Sequence, residues 1–228
     1  AGWAGNTTSM AAGMIVAADG ETMEERDKAR GAKERAEIFA EQCAALEAQG
    51  FVPHDRSTGM LGANVYGTLA ALPFIAAVIA AFVFGGAPVR TAVSPAADIA
   101  VFAAAAAASL VVHECLHALF WAAGSGGAVR LGFDRRTFTP YCAALKPMGK
   151  ARYLIGIIAP FVFLGGGFSV AACLTGLWML CAAGAANVLM AGADILVAAR
   201  IVFSRGKYFV DHPSRCGFIV YARPERSE

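Results

Sequence analysis

The sequence has no Cys-x-x-Cys pair, no glycine-rich phosphate-binding loop and no basic patch interleaved with aromatic residues. The first absence argues against a disulfide framework. The six cysteines (43, 115, 142, 173, 181 and 216) are scattered and three lie in apolar segments, so we interpret them as reduced thiols or small apolar side chains. The other two absences, together with a net charge of only +2, argue against nucleic acid as a partner.

Charge is also scarce, because charged residues make up 16% of the chain and hydrophobic residues 57%, with a mean hydropathy of +0.56. That balance is more apolar than a typical soluble domain. The apolar residues are concentrated in four runs, at about 65–86, 99–123, 153–174 and 177–203. Each run has the roughly 20 residues that a helix needs to cross a bilayer. The sequence therefore predicts an all-α membrane protein with about four transmembrane helices, and the lipid bilayer is an expected partner.

The orientation follows from the lysines and arginines. Four spans place both termini and the loop at 124–152 on the same side of the membrane. All lysines and arginines except Arg90 fall on that side. By the positive-inside rule that side is cytoplasmic, which predicts a multi-pass protein of the cell membrane with both termini in the cytoplasm. Tyr66, Trp121, Tyr153 and Trp178 stand near span ends and are interpreted as interfacial aromatic residues.

Three regions are expected along the chain: an N-terminal cytoplasmic segment at 1–60, a four-span membrane domain at 61–205 and a cytoplasmic tail at 206–228. Residues 1–20 have no basic segment before their short apolar patch and are not interpreted as a signal peptide. Residues 21–49 interleave acidic and basic residues around one apolar stripe, which predicts an amphipathic helix ending near Gly50. We expect a surface helix beside the membrane, and a partner-binding arm is the alternative.

The loop and the tail contain strand-like segments. Residues 129–133 alternate apolar and polar, and a possible turn at 134–136 precedes residues 137–139, so a hairpin is predicted. Such a hairpin either receives an extended substrate by strand addition or is an ordinary surface loop. Residues 208–210 and 217–221 predict short strands in the tail. His212 and Cys216 are four apart, but Pro213 argues against a helix and hence against a second metal site.

The second apolar run contains His113-Glu114-Cys115-Leu116-His117, the pattern HExxH. On a helix, residues four apart share a face, so both imidazoles can reach one ion while Glu114 is placed to take a proton from a metal-bound water molecule. Ionisable side chains at membrane depth cost a few kcal/mol and require partners or a function. Zinc is the expected metal, and a catalytic zinc site normally has three protein ligands. The alternative is that the histidines are neutral and hydrogen-bond neighbouring helices.

Asp194 is the candidate for the third ligand. With the predicted orientation, His117 and His113 lie roughly 10–16 Å from the cytoplasmic end of the second span, and Asp194 lies about 15 Å from the same end of the fourth. Gly192 and Ala193 beside it are small enough for close helix approach.

Two polar neighbours in the fourth span bear on this interpretation. Asn187 is expected to hydrogen-bond between helices, and binding a substrate or ligand is its alternative role. Arg200 is expected to extend to the inner surface. An ion pair between Arg200 and Asp194 would instead remove the aspartate from a metal site.

These segments together resemble a known family. HECLH in a membrane helix, PYCAALKPM in the following loop, RYLIGIIAP, AGADI and VDHPSRCGF resemble the putative zincin peptidase family of small bacterial multi-pass membrane proteins, over roughly residues 60–222. That family is in turn similar to site-2 proteases, which are intramembrane zinc metalloproteases. The resemblance implies zinc ligation by His113, His117 and Asp194, and a general-base role for Glu114. The chain departs from site-2 proteases at Leu116, where they have glycine, and at residues 193–195, where they have Leu-Asp-Gly.

The sequence therefore predicts a membrane-embedded zinc metallopeptidase that hydrolyses peptide bonds of membrane-associated protein or peptide substrates near the cytoplasmic side. Two alternatives stay open. One is a non-catalytic membrane protein that uses the histidine and aspartate cluster for packing or metal handling. The other is a zinc hydrolase acting on a non-peptide substrate, because the same chemistry permits it.

Overall fold

The structure is a computed structural model that describes residues 23–125, 127–134 and 139–224. The interpretation of residues 1–20, residues 135–136 of the turn predicted at 134–136, and residues 137–138 of the segment predicted after it fall outside these residues.

The chain is mainly helical. Its helices are α1 (Met23–Ala48), α2 (Met60–Phe84), α3 (Pro95–Ser125), α4 (Lys150–Pro160), α5 (Gly167–Thr175), α6 (Trp178–Met190) and α7 (Gly192–Phe203), with a π-helix (Phe161–Gly166) between α4 and α5. Among the described residues, three continuous helical segments are long and apolar enough to cross a membrane, and a bent pair, α6 and α7, makes a fourth if it counts as one span. Large apolar side chains such as Leu69 and Leu119 are exposed on these helices, as lipid contact requires. The predicted all-α membrane class is confirmed.

The fourth span differs from the continuous helix predicted over 177–203. It consists of α6 and α7, which meet at Ala191 with a bend of 52°. At the start of α7, Gly192 packs against Gly67 of α2. A Cβ on Gly192 would lie 2.6 Å from the carbonyl oxygen of Gly67, and a Cβ on Gly67 would lie 2.7 Å from the backbone nitrogen of Ala193. The backbones of α2 and α7 therefore approach to a distance that only glycine permits.

The third span is interrupted near its middle. Pro160 has no amide hydrogen to donate, and the six residues that follow it adopt the wider π-helical turn before α5 resumes the α-helix. Gly165 lies in this turn and packs against Val188 of α6, where an added Cβ would meet Val188 Cγ2 at 2.9 Å. The glycine run therefore allows α6 to pack closely.

Two small antiparallel sheets lie at one end of the bundle. The strands β2 (Val129–Asp134) and β3 (Thr139–Ala144) form a hairpin as predicted, although β3 covers 139–144 and the second segment was predicted at 137–139. The strands β1 (Val52–Asp55), β4 (Tyr208–Asp211) and β5 (Phe218–Ala222) form a three-stranded sheet in the order β1-β5-β4. The sequence did not predict β1, because Val52-Pro53-His54-Asp55 contains a proline. In the structure this strand is exposed along its length. Since β1 precedes the first span and β5 follows the last, the two flanking segments lie on the same side of the bundle.

The predicted amphipathic helix is present as α1 and packs across both sheets. Leu46 at its C-terminal end joins Phe51, Val210 and Tyr221 in a buried cluster. On the hairpin side, Arg35 Nη1 donates a hydrogen bond of 2.6 Å to the hydroxyl of Tyr141. Because α1 contacts the hairpin and the C-terminal sheet together, it belongs to the folded extramembrane layer.

Candidate metal centre

Three side chains from two helices meet inside the bundle. His113 and His117 lie one turn apart on α3, and Asp194 lies in the first turn of α7. Asp194 Oδ2 is 3.0 Å from His113 Nε2 and 3.6 Å from His117 Nε2, and the two ring nitrogens are 3.1 Å apart. Side-chain exposure is 10% for His113, 6% for His117 and 15% for Asp194, so the cluster is nearly closed to solvent. The structure therefore brings the three predicted ligands together.

The three donor atoms fit a zinc ion. Zinc bonds of about 2.0–2.1 Å in a tetrahedron place neighbouring ligand atoms roughly 3.3 Å apart, and the distances here are 3.0, 3.1 and 3.6 Å. Asp194 Oδ2 is buried and takes part in no well-aligned hydrogen bond among the described residues. A buried carboxylate oxygen without such a bond is costly, and coordination of a metal would satisfy it. Two imidazoles and one carboxylate also match the donor types of a catalytic zinc site.

The orientation of His117 is determined by a neighbouring helix. Its Nδ1 lies 2.8 Å from the carbonyl oxygen of Gly156 in α4. Since a carbonyl only accepts, Nδ1 carries a proton, and Nε2 is the ring nitrogen that faces Asp194. A hydrogen bond of this kind on the non-ligating nitrogen is usual for histidines that bind metal.

An aromatic stack supports the same ring. Trp121, one turn after His117, stacks on it with ring centroids 5.2 Å apart and also stacks on Tyr153 of α4 at 5.5 Å. The indole fits because α4 has glycine at 156, where an added Cβ would lie 2.0 Å from Trp121 Nε1. Trp121 and Tyr153 are 2% and 1% exposed. The interpretation of these two as interfacial aromatic residues was therefore wrong, because they pack into the core next to the histidines.

Glu114 lies beside the cluster on α3 and is partly buried. The backbone amide of Cys142 in β3 faces its carboxylate. Burial raises the pKa of the Cys142 thiol, so this side chain is neutral at neutral pH. All six cysteines are free thiols, Cys115 among them. The hairpin therefore supplies a backbone donor to the carboxylate that the sequence identifies as the general base.

Asp211 at the end of β4 connects the extramembrane layer to the helices near the site. Its Oδ1 accepts a hydrogen bond of 2.8 Å from the Tyr153 hydroxyl, and its Oδ2 accepts one of 3.1 Å from the Ala144 amide in β3. Burial raises the pKa of Asp211 to about 6, although the hydrogen bond from Tyr153 opposes the rise. One carboxylate thus joins β3 to the helix that carries Tyr153 and Gly156.

The two polar neighbours of Asp194 have other partners. Asn187 Nδ2 donates to Ser109 Oγ of α3 at 3.3 Å, and this is the expected bond between helices. The same nitrogen also donates to the Ala183 carbonyl of its own helix. Arg200 donates to the Arg56 carbonyl and to Thr58 Oγ1, both at 3.1 Å. The Arg200 guanidinium therefore binds the segment before α2. It makes these bonds instead of an ion pair with Asp194.

Sequence reasoning did not identify Gly156, Trp121, Cys142 or Asp211 as parts of this neighbourhood. A tryptophan four residues after His117 is the one local signal, because that spacing puts both rings on one helix face. The other three come from elements that are distant in sequence, and a single sequence has no pattern that pairs them.

Residues 106–208 match the model of a family described as "Putative zincin peptidase". The matched segment contains His113, Glu114, His117 and Asp194, so the predicted resemblance is confirmed over this part of the chain. Neither a curated protein nor a solved structure matches the chain.

Proposed function

From the match to a zincin peptidase family and the geometry of the cluster, we propose that the chain is a membrane-embedded zinc metallopeptidase. It hydrolyses peptide bonds of membrane-associated protein substrates near the cytoplasmic side. The observation that carries the proposal is the triangle formed by His113 Nε2, His117 Nε2 and Asp194 Oδ2, with edges of 3.0–3.6 Å at membrane depth. In a packed apolar bundle, a donor set with this spacing requires a cation or a shared proton to be stable.

In this proposal His113, His117 and Asp194 hold the zinc ion. When bound, zinc would lower the pKa of a water molecule and polarise a substrate carbonyl. The Gly156 carbonyl keeps the proton of His117 on Nδ1. The Nε2 atom of His117 is therefore the nitrogen turned towards the metal position, in an orientation that the hydrogen bond on Nδ1 sets before binding.

Glu114 is the general base. It follows His113 directly in α3, so its carboxylate lies beside the metal ligands without being one of them. Its carboxylate would accept a proton during attack on the peptide and return it to the leaving amine. The Cys142 amide faces this carboxylate from β3 and is placed to donate to it.

The edge of β3 that faces away from β2 is proposed as the place where the substrate binds. Strand β3 pairs with β2 on one side, and the Ala144 amide points away from β2 towards Asp211. Backbone groups alternate between the two edges of a strand, so the Cys142 amide lies on this same edge, next to Glu114. Because Glu114 and Asp211 engage these two amides, an extended peptide would pair with the carbonyl groups of this edge, and it would then pass the catalytic residues. This arrangement supports the strand-addition alternative for the hairpin.

The similarity to site-2 proteases is part of the proposal. The two departures, Leu116 and the Ala193-Asp194-Ile195 sequence, leave the ligand geometry intact, because Asp194 reaches both histidines from the start of α7. The cytoplasmic placement rests on the positive-inside distribution of lysines and arginines. Because β1 pairs with β5, the segment before the first span and the segment after the last span lie on the same side of the membrane.

The proposal is tested first by the metal content of the detergent-purified chain. We expect about one equivalent of zinc, and its loss in a His113→Ala, His117→Ala double variant. His54→Ala is the matched control, because it removes an exposed imidazole far along the chain and is expected to leave the zinc content unchanged. If the folded wild-type protein holds no metal and takes up none from added zinc, the cluster is a packing element and the peptidase proposal is wrong.

A further inference from the structure

A basic cavity opens where the chain leaves the membrane bundle. It has a volume of about 730 Å³ and lies between β1, the link from α7 to β4 and the end of β5. Four basic side chains line it: His54, Arg205, Lys207 and Arg223. Among the described residues of its lining, none carries a carboxylate. The cavity is separate from the metal centre, since the two share no residue.

Gly206 brings the basic residues of this cavity together. An added Cβ at this position would lie 2.3 Å from Val220 Cγ2 and 3.0 Å from the Tyr221 carbonyl oxygen, both in β5. The next residue, Lys207, donates its backbone amide to the same Tyr221 carbonyl at 2.8 Å. The link from α7 is therefore held against β5, and Arg205 and Lys207 lie near Arg223 although they come from different elements.

The cations of the cavity are held by aromatic rings. Lys207 Nζ lies 4.9 Å from the ring centroid of Tyr208 and 5.9 Å from that of Phe51. Arg223 Cζ lies 5.8 Å from the same Phe51 ring. Ring faces orient a cation without neutralising it. Arg205, Lys207 and Arg223 are all exposed, so their charges are available to a ligand.

If α7 crosses the membrane, the cavity follows its end and is expected at the level of the lipid headgroups. Phe203, the last residue of α7, is 86% exposed, and Val202 before it is 51% exposed, as apolar side chains facing acyl chains would be. Arg205 follows two residues later, within about 8 Å of chain. Lys150 Nζ donates to the carbonyls of Val202 and Ser204 and so completes the end of this helix.

We propose that this cavity binds the phosphate of an anionic phospholipid from the adjacent leaflet. Arginine and lysine make short, charge-assisted hydrogen bonds to phosphate oxygens, and basic clusters next to a span attract anionic lipids. A lipid is favoured over free phosphate because the exposed Val202 and Phe203 provide a path for its acyl chains directly beside the cations. The site goes beyond the proposed peptidase activity and does not depend on it.

The test is native mass spectrometry of the full chain in mild detergent with phosphatidylglycerol and phosphatidylcholine at equal concentrations. We expect the wild type to retain phosphatidylglycerol preferentially. An Arg205→Gln, Lys207→Gln, Arg223→Gln variant should lose this preference by about ten-fold or more. The matched control is Arg30→Gln, Lys33→Gln, Arg90→Gln, which makes the same change in net charge at exposed residues outside the cavity and should retain the preference.

Equal retention of phosphatidylglycerol by the triple variant and the wild type would overturn the proposal. Competition by millimolar inorganic phosphate that abolishes the preference would also overturn it, because the site would then bind free anions. Zinc content is expected to be the same in the wild type and the triple variant, which separates failure of this site from failure of the metal centre. If the triple variant unfolds, the single Arg205→Gln variant replaces it, and an unchanged preference there would count against the proposal.

Discussion

His117 is hydrogen-bonded across helices to Gly156, with Nδ1 2.8 Å from the carbonyl oxygen. The same glycine provides the space in which Trp121 lies flat against the His117 ring. One residue of α4 thus supports a candidate metal ligand of α3 in two ways, by accepting its proton and by lacking a side chain.

Gly156→Ala should therefore damage the site and the fold together. The added methyl group would lie 2.0 Å from Trp121 Nε1, so the indole must move, and we expect a destabilisation of about 1–3 kcal/mol. Zinc affinity should fall because the His117 ring loses its support. Thermal unfolding and zinc titration measure the two effects. Gly167→Ala is the control, since nothing lies within 4 Å of its Cβ position, and an equal loss in both variants would refute the argument.

Glu114→Gln should separate metal binding from catalysis. The substitution keeps the size of the side chain and the neighbouring histidines, so we expect the zinc content of the wild type. It removes the base, so hydrolysis of an extended, membrane-tethered reporter in proteoliposomes should fall by about 10²–10⁴-fold. Cys115→Ser changes the adjacent exposed residue and should keep most of the activity. A rate equal to wild type in Glu114→Gln would exclude Glu114 from the mechanism.

Asp211 should make stability depend on pH. Its pKa rises from an ordinary 3.8 to about 6 on folding, so the folded state binds the proton more tightly than the unfolded state. The resulting stabilisation is complete below about pH 3.8 and is lost as the pH rises through 6. It amounts to about 3 kcal/mol at most.

The measurement compares the melting temperatures of wild type and Asp211→Asn from pH 4 to pH 8. We expect the wild type to lose stability relative to the variant across this window, on top of a constant difference from the altered bonds to Tyr153 and Ala144. A difference that does not change with pH would show that Asp211 titrates normally.

Gly192→Ala should disturb the approach of α7 to α2. Its Cβ would lie 2.6 Å from the Gly67 carbonyl oxygen, which is backbone and cannot rotate away. We expect α7 to shift, with lower thermal stability and weaker zinc binding, because Asp194 is only two residues further along. Gly31→Ala in α1 is a helical control with no atom closer than 4.0 Å. Unchanged zinc affinity in Gly192→Ala would show that Asp194 is positioned independently of this contact.

Much of the candidate site could be predicted because its parts are local. His113, Glu114 and His117 lie within five residues, and the helical period alone puts both imidazoles on one face. Asp194 was predicted from a count of residues along two spans of predicted direction, and the structure brings it to the histidines. The same reasoning placed Trp121 and Tyr153 at the membrane interface. It failed there because the position of a ring along a helix does not say which neighbour covers it.

By itself, the sequence determined the apolar runs, the helical class and the spacing of the two histidines, since these depend on composition and on a period of 3.6 residues. Only the tertiary structure decided the bend at Ala191, the Gly156 acceptor, the β1–β5 pairing and the approach of β3 to Glu114. Each of these joins residues far apart in the chain, and such contacts form only where helix packing and backbone hydrogen bonding are satisfied together. The donors of the proposed zinc site come from α3 and α7, about 80 residues apart, and the Gly67–Gly192 contact packs the start of α7 closely against α2.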